Sequence, residues 1–267
     1  MAGIDRTRRI TFEEQAERFD ATAGGYPAEI IDDILALAKL PPGGRILEIG
    51  CGSGQATVSF AQRGYALVAV ELGERLAKMA ADKLRRFPLT QVIQYEFESW
   101  TLPEQPFDLV LSADAFHWIV PQVGIPKVAQ ALVPGGLVAL IWNVQGRRDT
   151  PLHQKIARVY AANAPDWPNP LDDEVDAEFI LRAMGGDFSK AGGFEPMQMR
   201  TYVTHDRISG ANYIEELHTF SSHREMPDST RQNLYTAILS AFQAYEDHLE
   251  REIVYILLYT RPRSANA

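Results

Sequence analysis

The chain has one cysteine, Cys51. No intramolecular disulfide can form, which fits a reducing compartment. Long apolar runs are also missing. Nothing approaches the roughly 20 residues that span a bilayer, and the longest candidate, Ile253 to Tyr259, reads as a strand. The basic residues of the opening MAGIDRTRRITFEEQ are not followed by the apolar stretch of a secretory signal. Positive charge is in deficit, with a formal net charge of -9. That argues against a broad basic surface for nucleic acid or anionic membrane. No G-x-x-x-x-G-K-[ST] run occurs, so a P-loop is excluded. His218 and His223 stand five apart rather than four and lack clustered partners, so no metal site is expected. These absences fit a soluble, cytoplasmic protein with no nucleic-acid or membrane partner, with its oligomeric state unread.

What is present is ordinary globular composition, 46% hydrophobic and 23% charged over 267 residues. That length suits about two domains, or one large α/β domain with an ample core. Near-continuous apolar runs at 45–50, 107–113 and 136–143 read as strands covered on both faces. With strands at 66–71 and 91–96 and helices at 54–63, 74–86 and 123–132, they make a strand–helix rhythm, which implies a parallel sheet. Helices are expected earlier, at 11–22 and 27–40, on the spacing of Phe12, Ala16 and Phe19 and of Ile30, Ile31, Ile34, Leu35 and Leu37.

After Trp142 the rhythm changes. Helices are expected at 150–163, 174–184, 210–219 and 228–249, and strands at 195–206 and 252–261. The expected division is a helical arm or lid over 1–40 and a core over 41–146. A helical cap over 147–193 and 207–250 follows, with final core strands at 194–206 and 251–263.

The most informative run is Arg45-Ile-Leu-Glu-Ile-Gly-Cys-Gly-Ser-Gly54. It reads as a buried strand ending in a glycine turn that opens a helix. Gly50, Gly52 and Gly54 allow positive φ and close approach of a ligand to the backbone. The dinucleotide fingerprint is G-x-G-x-x-G, whose pyrophosphate sits at the helix start. Here Gln55 stands where the third glycine would be, and Glu48 faces the turn. A carboxylate repels a pyrophosphate and attracts an ammonium or a sulfonium. S-adenosylmethionine carries both cations, so these residues favour it over NAD. Glu71, at the end of the second strand, suits the ribose diol of either cofactor.

These residues resemble class I S-adenosylmethionine-dependent methyltransferases. ILEIGCGSGQ is similar to the family's first motif and VAVELGERLAKMA to its second. EFESWTLPEQPFDLVLSADAFHWI and VAQALVPGGLVALIWN are similar to the segments through strands three, four and five. The likeness covers residues 11–143, and its F-E-x-W and A-F-H-W details resemble the bacterial type-11 small-molecule group. It implies a Rossmann-like, mostly parallel seven-stranded sheet with an antiparallel last strand and a helical cap inserted after strands five and six. It implies S-adenosylmethionine as cofactor and S-adenosylhomocysteine as its product. By that pattern Glu48 orients the methionine amine, while Gly50, Cys51, Gly52 and Gly54 line the cofactor. Glu71 takes the ribose and Leu72 lies against the adenine. Glu96 or Glu98 accepts from the adenine amine, beside the Phe97 N–H, and Ala113 and Asp114 lie near the methionine end. The chain departs from the pattern at Ala23 and Gly24, where related sequences carry arginine and proline.

Methyl transfer needs a base only where the acceptor must lose a proton. His117 is the candidate, since it follows strand four and an ordinary histidine titrates near neutrality; it could equally be a hydrogen-bonding residue of a helix start. Tyr26, Trp118 and Trp142 are candidate acceptor-pocket walls, or packing residues. Arg147 could hold an acceptor carboxylate in a bidentate grip, or sit with Arg148 in a solvated loop. The competing functions are a non-methylating or non-catalytic binder of S-adenosylmethionine and, less favoured, an NAD-binding oxidoreductase.

Overall fold

The computed structural model describes residues 16–22, 24–146, 149–167 and 176–263. Expectations that fall on Ala23, Arg147, Arg148, on 11–15 in the first helix and on 174–175 lie outside the described residues. The first half runs α1 (Ala16–Thr22), α2 (Ala28–Ala38), β1 (Arg45–Ile49), α3 (Gln55–Ala61), β2 (Ala66–Glu71), α4 (Glu74–Leu84), β3 (Thr90–Gln94), β4 (Phe107–Ala113), α5 (Pro121–Ala131) and β5 (Leu132–Gln145). The second half runs α6 (Pro151–Asn163), α7 (Ala177–Ala191), β6 (Gln198–Ser209), α8 (Gly210–Leu217), α9 (Ser221–Glu225), α10 (Asp228–Gln243) and β7 (His248–Thr260). No helix among the described residues is long and apolar enough to cross a membrane.

The strands form one seven-stranded sheet in the order β3-β2-β1-β4-β5-β7-β6. From β3 to β5 every pairing is parallel, and β7 runs antiparallel to both its neighbours. The expected antiparallel last strand is therefore inserted between β5 and β6. The chain leaves β1 toward β2 and β3, then returns to place β4 on its other side. This reversal opens a crevice beyond the carboxyl ends of β1 and β4, where ligands bind in open α/β sheets.

Side-chain alternation divides the core. Leu47, Ile49, Val110, Val138 and Leu140 pack with Ile125, Val128, Ile180 and Phe188 from α5 and α7. Ile46, Leu109, Leu111, Ala139 and Ile141 pack with Ile30, Ile34 and Phe60 from α2 and α3. Each such side chain, fully buried, contributes about 1.5–3 kcal/mol. α6, α8 and α10 enclose a third core of Leu152, Ile156, Leu217, Leu234, Ile238 and Phe242, tied to the β6–β7 ribbon by Ile208 and Leu249. Of the stretches read as cap, α7 instead covers the sheet beside α5.

Three boundaries differ for physical reasons. α7 runs through Gly185-Gly186 to Ala191 because Ile180, Met184 and Phe188 keep one apolar stripe against the sheet. α10 stops at Gln243, and Glu246 and Asp247 then turn in the left-handed region. His248 and Leu249, read as the end of the last helix, open β7 instead. Its charges answer those of β6 across the ladder, Arg251 against Asp206 and Arg207 against Glu250.

Candidate functional site

The glycine turn is fixed from both sides. Gly50 donates its N–H to the Val70 carbonyl at 2.8 Å and sits at φ 69°. A Cβ there would lie 2.5 Å from that of Ala115, in the loop after β4. Only glycine lets the two loops close on one another. Glu71 holds the turn against the end of β2. Its carboxylate accepts from the Gly52 N–H and the Gly73 N–H, each at 2.8 Å. Cys51 is buried at the turn, and burial pushes its thiol well up, which makes it a packing atom rather than a nucleophile.

Glu48 shares a strand face with Ile46, so it points toward α3. It is only 1% exposed, and its Oε2 has no hydrogen-bond partner. Burial raises its pKa to about 8; the Thr57 hydroxyl pulls it down and the Glu71 charge pushes it further up. A buried carboxyl without a cation stays protonated at neutral pH. A ligand cation in the crevice would supply the missing partner; a diphosphate would not.

The strand-three carboxylates, left open by the sequence, take separate surroundings. Glu98 Oε1 accepts from the Val120 N–H at 3.1 Å, which caps the start of α5. Glu96, two residues earlier and half-buried, accepts from the Ser99 hydroxyl at 3.0 Å. Phe97 is buried beneath the Lys127 ammonium, 5.2 Å from the ring centre. Leu72 is half-buried, and its carbonyl accepts from the Gln94 amide at 2.9 Å.

Two polar corners flank the end of β4, on opposite faces of the sheet. On the α2 side, Ala113 leads into Asp114, which takes a left-handed φ of 51°. Its carboxylate accepts from the Tyr26 hydroxyl at 2.8 Å and the Asn143 N–H at 2.9 Å, and also from the Asn143 amide. Burial lifts Asp114 to about 6 against these bonds. Tyr26 meets Tyr255 edge-to-face at 6.1 Å. On the α5 side, the Trp142 indole N–H donates to His117 Nδ1 at 3.2 Å, and the His117 and Trp118 rings lie 5.0 Å apart. An indole nitrogen can only donate, so the accepting ring carries its proton on Nε2.

The sequence reading missed the linkage of Asp114, Tyr26 and Asn143, although Tyr26 and Asp114 had both been noted. No local signal joins residues so far apart. It also missed Asp20 of α1, which accepts from Ser53 Oγ at 2.6 Å and from the Gln55 amide at 3.3 Å and pairs with Lys83. These contacts lay the arm across the glycine turn, and Arg18 ties the arm to Glu215 of α8 at 3.3 Å. Arg147 lies outside the described residues. Tyr213, a weaker wall candidate, belongs to the cap core, 5.3 Å from the Phe242 ring.

Residues 47–140 match the family described as "Methyltransferase domain". An uncharacterized methyltransferase of Mycobacterium tuberculosis is 33% identical over 144 residues, which are 54% of this chain and 56% of that protein. The trans-aconitate 2-methyltransferase of Variovorax paradoxus is 28% identical over 58% of each. The chain thus spans little more than half the length of the first curated relatives it matches. Among solved structures, a candidate type II methyltransferase from Anaeromyxobacter dehalogenans superposes with TM-score 0.61 at 21% identity, over 90% of this chain and 97% of that one. The [4+2]-cyclase SpnF superposes with TM-score 0.58 at 14% identity, over 99% and 98%. The fold is the Rossmann-like one seen in these methyltransferase structures, and the segment from β1 through most of β5 is similar to the methyltransferase domain family.

Proposed function

We propose that this protein binds S-adenosylmethionine in the crevice above β1, β2 and β4 and transfers its methyl group to a small molecule. The observation that carries this reading is the buried Glu48 carboxyl beside the glycine turn, one oxygen of which has no partner. It selects for positive charge where a dinucleotide site needs the reverse. When bound, the cofactor supplies a methyl group on a cationic sulfur; position and electrostatics come from the protein.

Glu48 would face the methionine amine and Glu71 the ribose diol, with Gly50, Cys51, Gly52 and Gly54 along the chain between. Leu72 and the Phe97 N–H would frame the adenine. Glu96 or Glu98 would accept from the adenine amine; each carboxylate already takes one bond, from Ser99 and from the Val120 N–H. Tyr26 closes from the arm. His117, whose Nδ1 already accepts from Trp142, acts as an Nε2–H donor rather than a base.

Calorimetry of the full chain with S-adenosylmethionine, S-adenosylhomocysteine and NAD tests this. The first two should bind and NAD should not, and Glu71→Ala should weaken uptake about 100-fold, the worth of two hydrogen bonds to a charged group. Tight NAD binding, or full affinity in Glu71→Ala, refutes the placement. A second reading is favoured by the superposition on a cyclase: the cofactor is bound and its methyl group is kept. Release of S-adenosylhomocysteine in step with a methylated product separates the two, because fold alone does not assign chemistry.

A further inference from the structure

The corner at the end of β4 has chemistry that cofactor binding leaves unused. We propose that Asp114, Tyr26 and Tyr255 seat the methyl acceptor and that this acceptor is an amine; the proposal rests on the cofactor reading above.

The lining of the corner argues for it. Asp114 is a carboxylate held by a phenol and by both nitrogens of Asn143. Among the described residues, no lysine or arginine pairs with it. The rings of Tyr26 and Tyr255 stand edge-to-face, and such ring faces attract cations. Farther out on the same face, Asp206 and Arg251 act on Tyr255, but they are engaged with each other, and Arg251 also pairs with Glu216. A carboxylate acceptor entering here meets the Asp114 carboxylate and gains no cation. An amine enters as a cation and gains both the acid and the rings.

The transfer balances without another reactant. The ammonium form docks against Asp114 and passes one proton to that carboxylate, which frees the nitrogen lone pair. The N–C bond forms as the S–C bond breaks, with that electron pair left on sulfur. The methylated amine departs as an ammonium ion, and the Asp114 proton goes to water. Burial sets Asp114 at about 6, so near neutrality it is ionised yet takes a proton readily.

The test uses the full chain with Asp114→Asn and Tyr26→Phe. Asparagine tolerates the left-handed backbone and conserves volume, and Tyr26→Phe keeps the ring, so one variant folds even where the other does not. Calorimetry with S-adenosylhomocysteine comes first. The unaltered chain should bind, and its failure to do so breaks the cofactor reading, not this one; the variants are then compared at saturating S-adenosylhomocysteine. The complex with S-adenosylhomocysteine is then melted in methylammonium chloride and in sodium acetate. Methylammonium should raise the midpoint of the unaltered chain, and Asp114→Asn should abolish that rise. Labelled cofactor offered with small amines, hydroxyls and carboxylic acids should label amines, about 100-fold more slowly in Asp114→Asn. Stabilisation by acetate alone, an equal response in Asp114→Asn, or label confined to carboxylic acids or hydroxyls or absent from every amine overturns the proposal. Label in carboxylic acids would return the role to Arg147.

Discussion

Glu48 and His223 are both 1% exposed, and burial drives each against its charged form. Glu48 is pushed up to about 8 and His223 down to about 4. Their surroundings differ. His223, inside the cap, has a tyrosine hydroxyl at each ring nitrogen, Tyr160 at 3.0 Å and Tyr235 at 3.2 Å. Glu48, beside the glycine turn, has an oxygen with no partner. A satisfied buried group needs no ligand to explain its burial. One that is left unsatisfied has its stability withheld until a ligand arrives, and the rate at which a fold tolerates such groups is low. The comparison therefore sets a satisfied buried histidine in the cap against a buried acid in the crevice that keeps an open oxygen.

The largest predicted effect breaks the comparison at Glu48. In the unfolded chain this acid ionises near its ordinary value of 4.5, and in the folded chain near 8. Folded stability is full below the first value and falls as pH rises toward the second. Glu48→Gln removes that dependence. It should stabilise the ligand-free protein by about 4 kcal/mol at pH 8 and by little at pH 4, while cofactor uptake is lost. Urea denaturation at both pH values reads it. Equal stability at pH 8 would mean that Glu48 is already satisfied. A related outcome belongs to the unaltered chain: cofactor binding at pH 7 should release a proton, visible as calorimetric enthalpies that vary with the buffer.

Gly50→Ala sharpens the crevice side by geometry rather than charge. The residue sits at φ 69° and its Cβ would lie 2.5 Å from that of Ala115. Left-handed strain and overlap together should cost about 3 kcal/mol, and cofactor affinity should fall in parallel because the turn and the β4 loop separate. A variant as stable as the parent would mean that the loops approach less closely than this.

How much of this was legible follows from the range of the signal. The strand ending in glycines, the acid two places before them and the acid at the end of β2 are short-range patterns, and all lie where the reading put them. The antiparallel strand and the presence of helices after β5 and β6 were also readable from the change in rhythm. The first two residues of β7, His248 and Leu249, were read as helix because the charges beside them, Arg251 and Glu250, find their partners on β6, 45 and 43 residues away by number. Asp114 and Tyr26 are 88 apart, and nothing local in either residue names the other. His117 looked like a base from its position alone; the indole N–H that occupies its Nδ1 comes from the neighbouring strand.

On the cap side the expected effect is smaller and opposite in pH. His223 ionises near its ordinary value of 6.5 when unfolded and near 4 when folded, because burial and then the charges of His218 and Arg231 disfavour the cation. Its stability contribution is complete above 6.5 and declines as pH falls toward 4, by about 3 kcal/mol at most. His223→Gln should flatten that limb between pH 6.5 and 4 and leave cofactor affinity at pH 8 unchanged. A loss of affinity would join the cap to the crevice and undo the division.

The smallest effect lies at the outer edge of the ribbon. Arg207 and Glu250 pair at 3.6 Å with side chains 58% and 76% exposed, where solvent screening leaves little net attraction. Arg207→Ala should change stability by less than about 0.5 kcal/mol, and less still at high salt. Arg251, on the next rung, is only 13% exposed and grips Asp206 and Glu216, so it is a useful contrast on the same two strands. If Arg207→Ala proved as damaging as removal of Arg251, exposure would not be what distinguishes these pairs. Whether a charged group is satisfied out of water would then lose its value as the criterion that sets Glu48 apart.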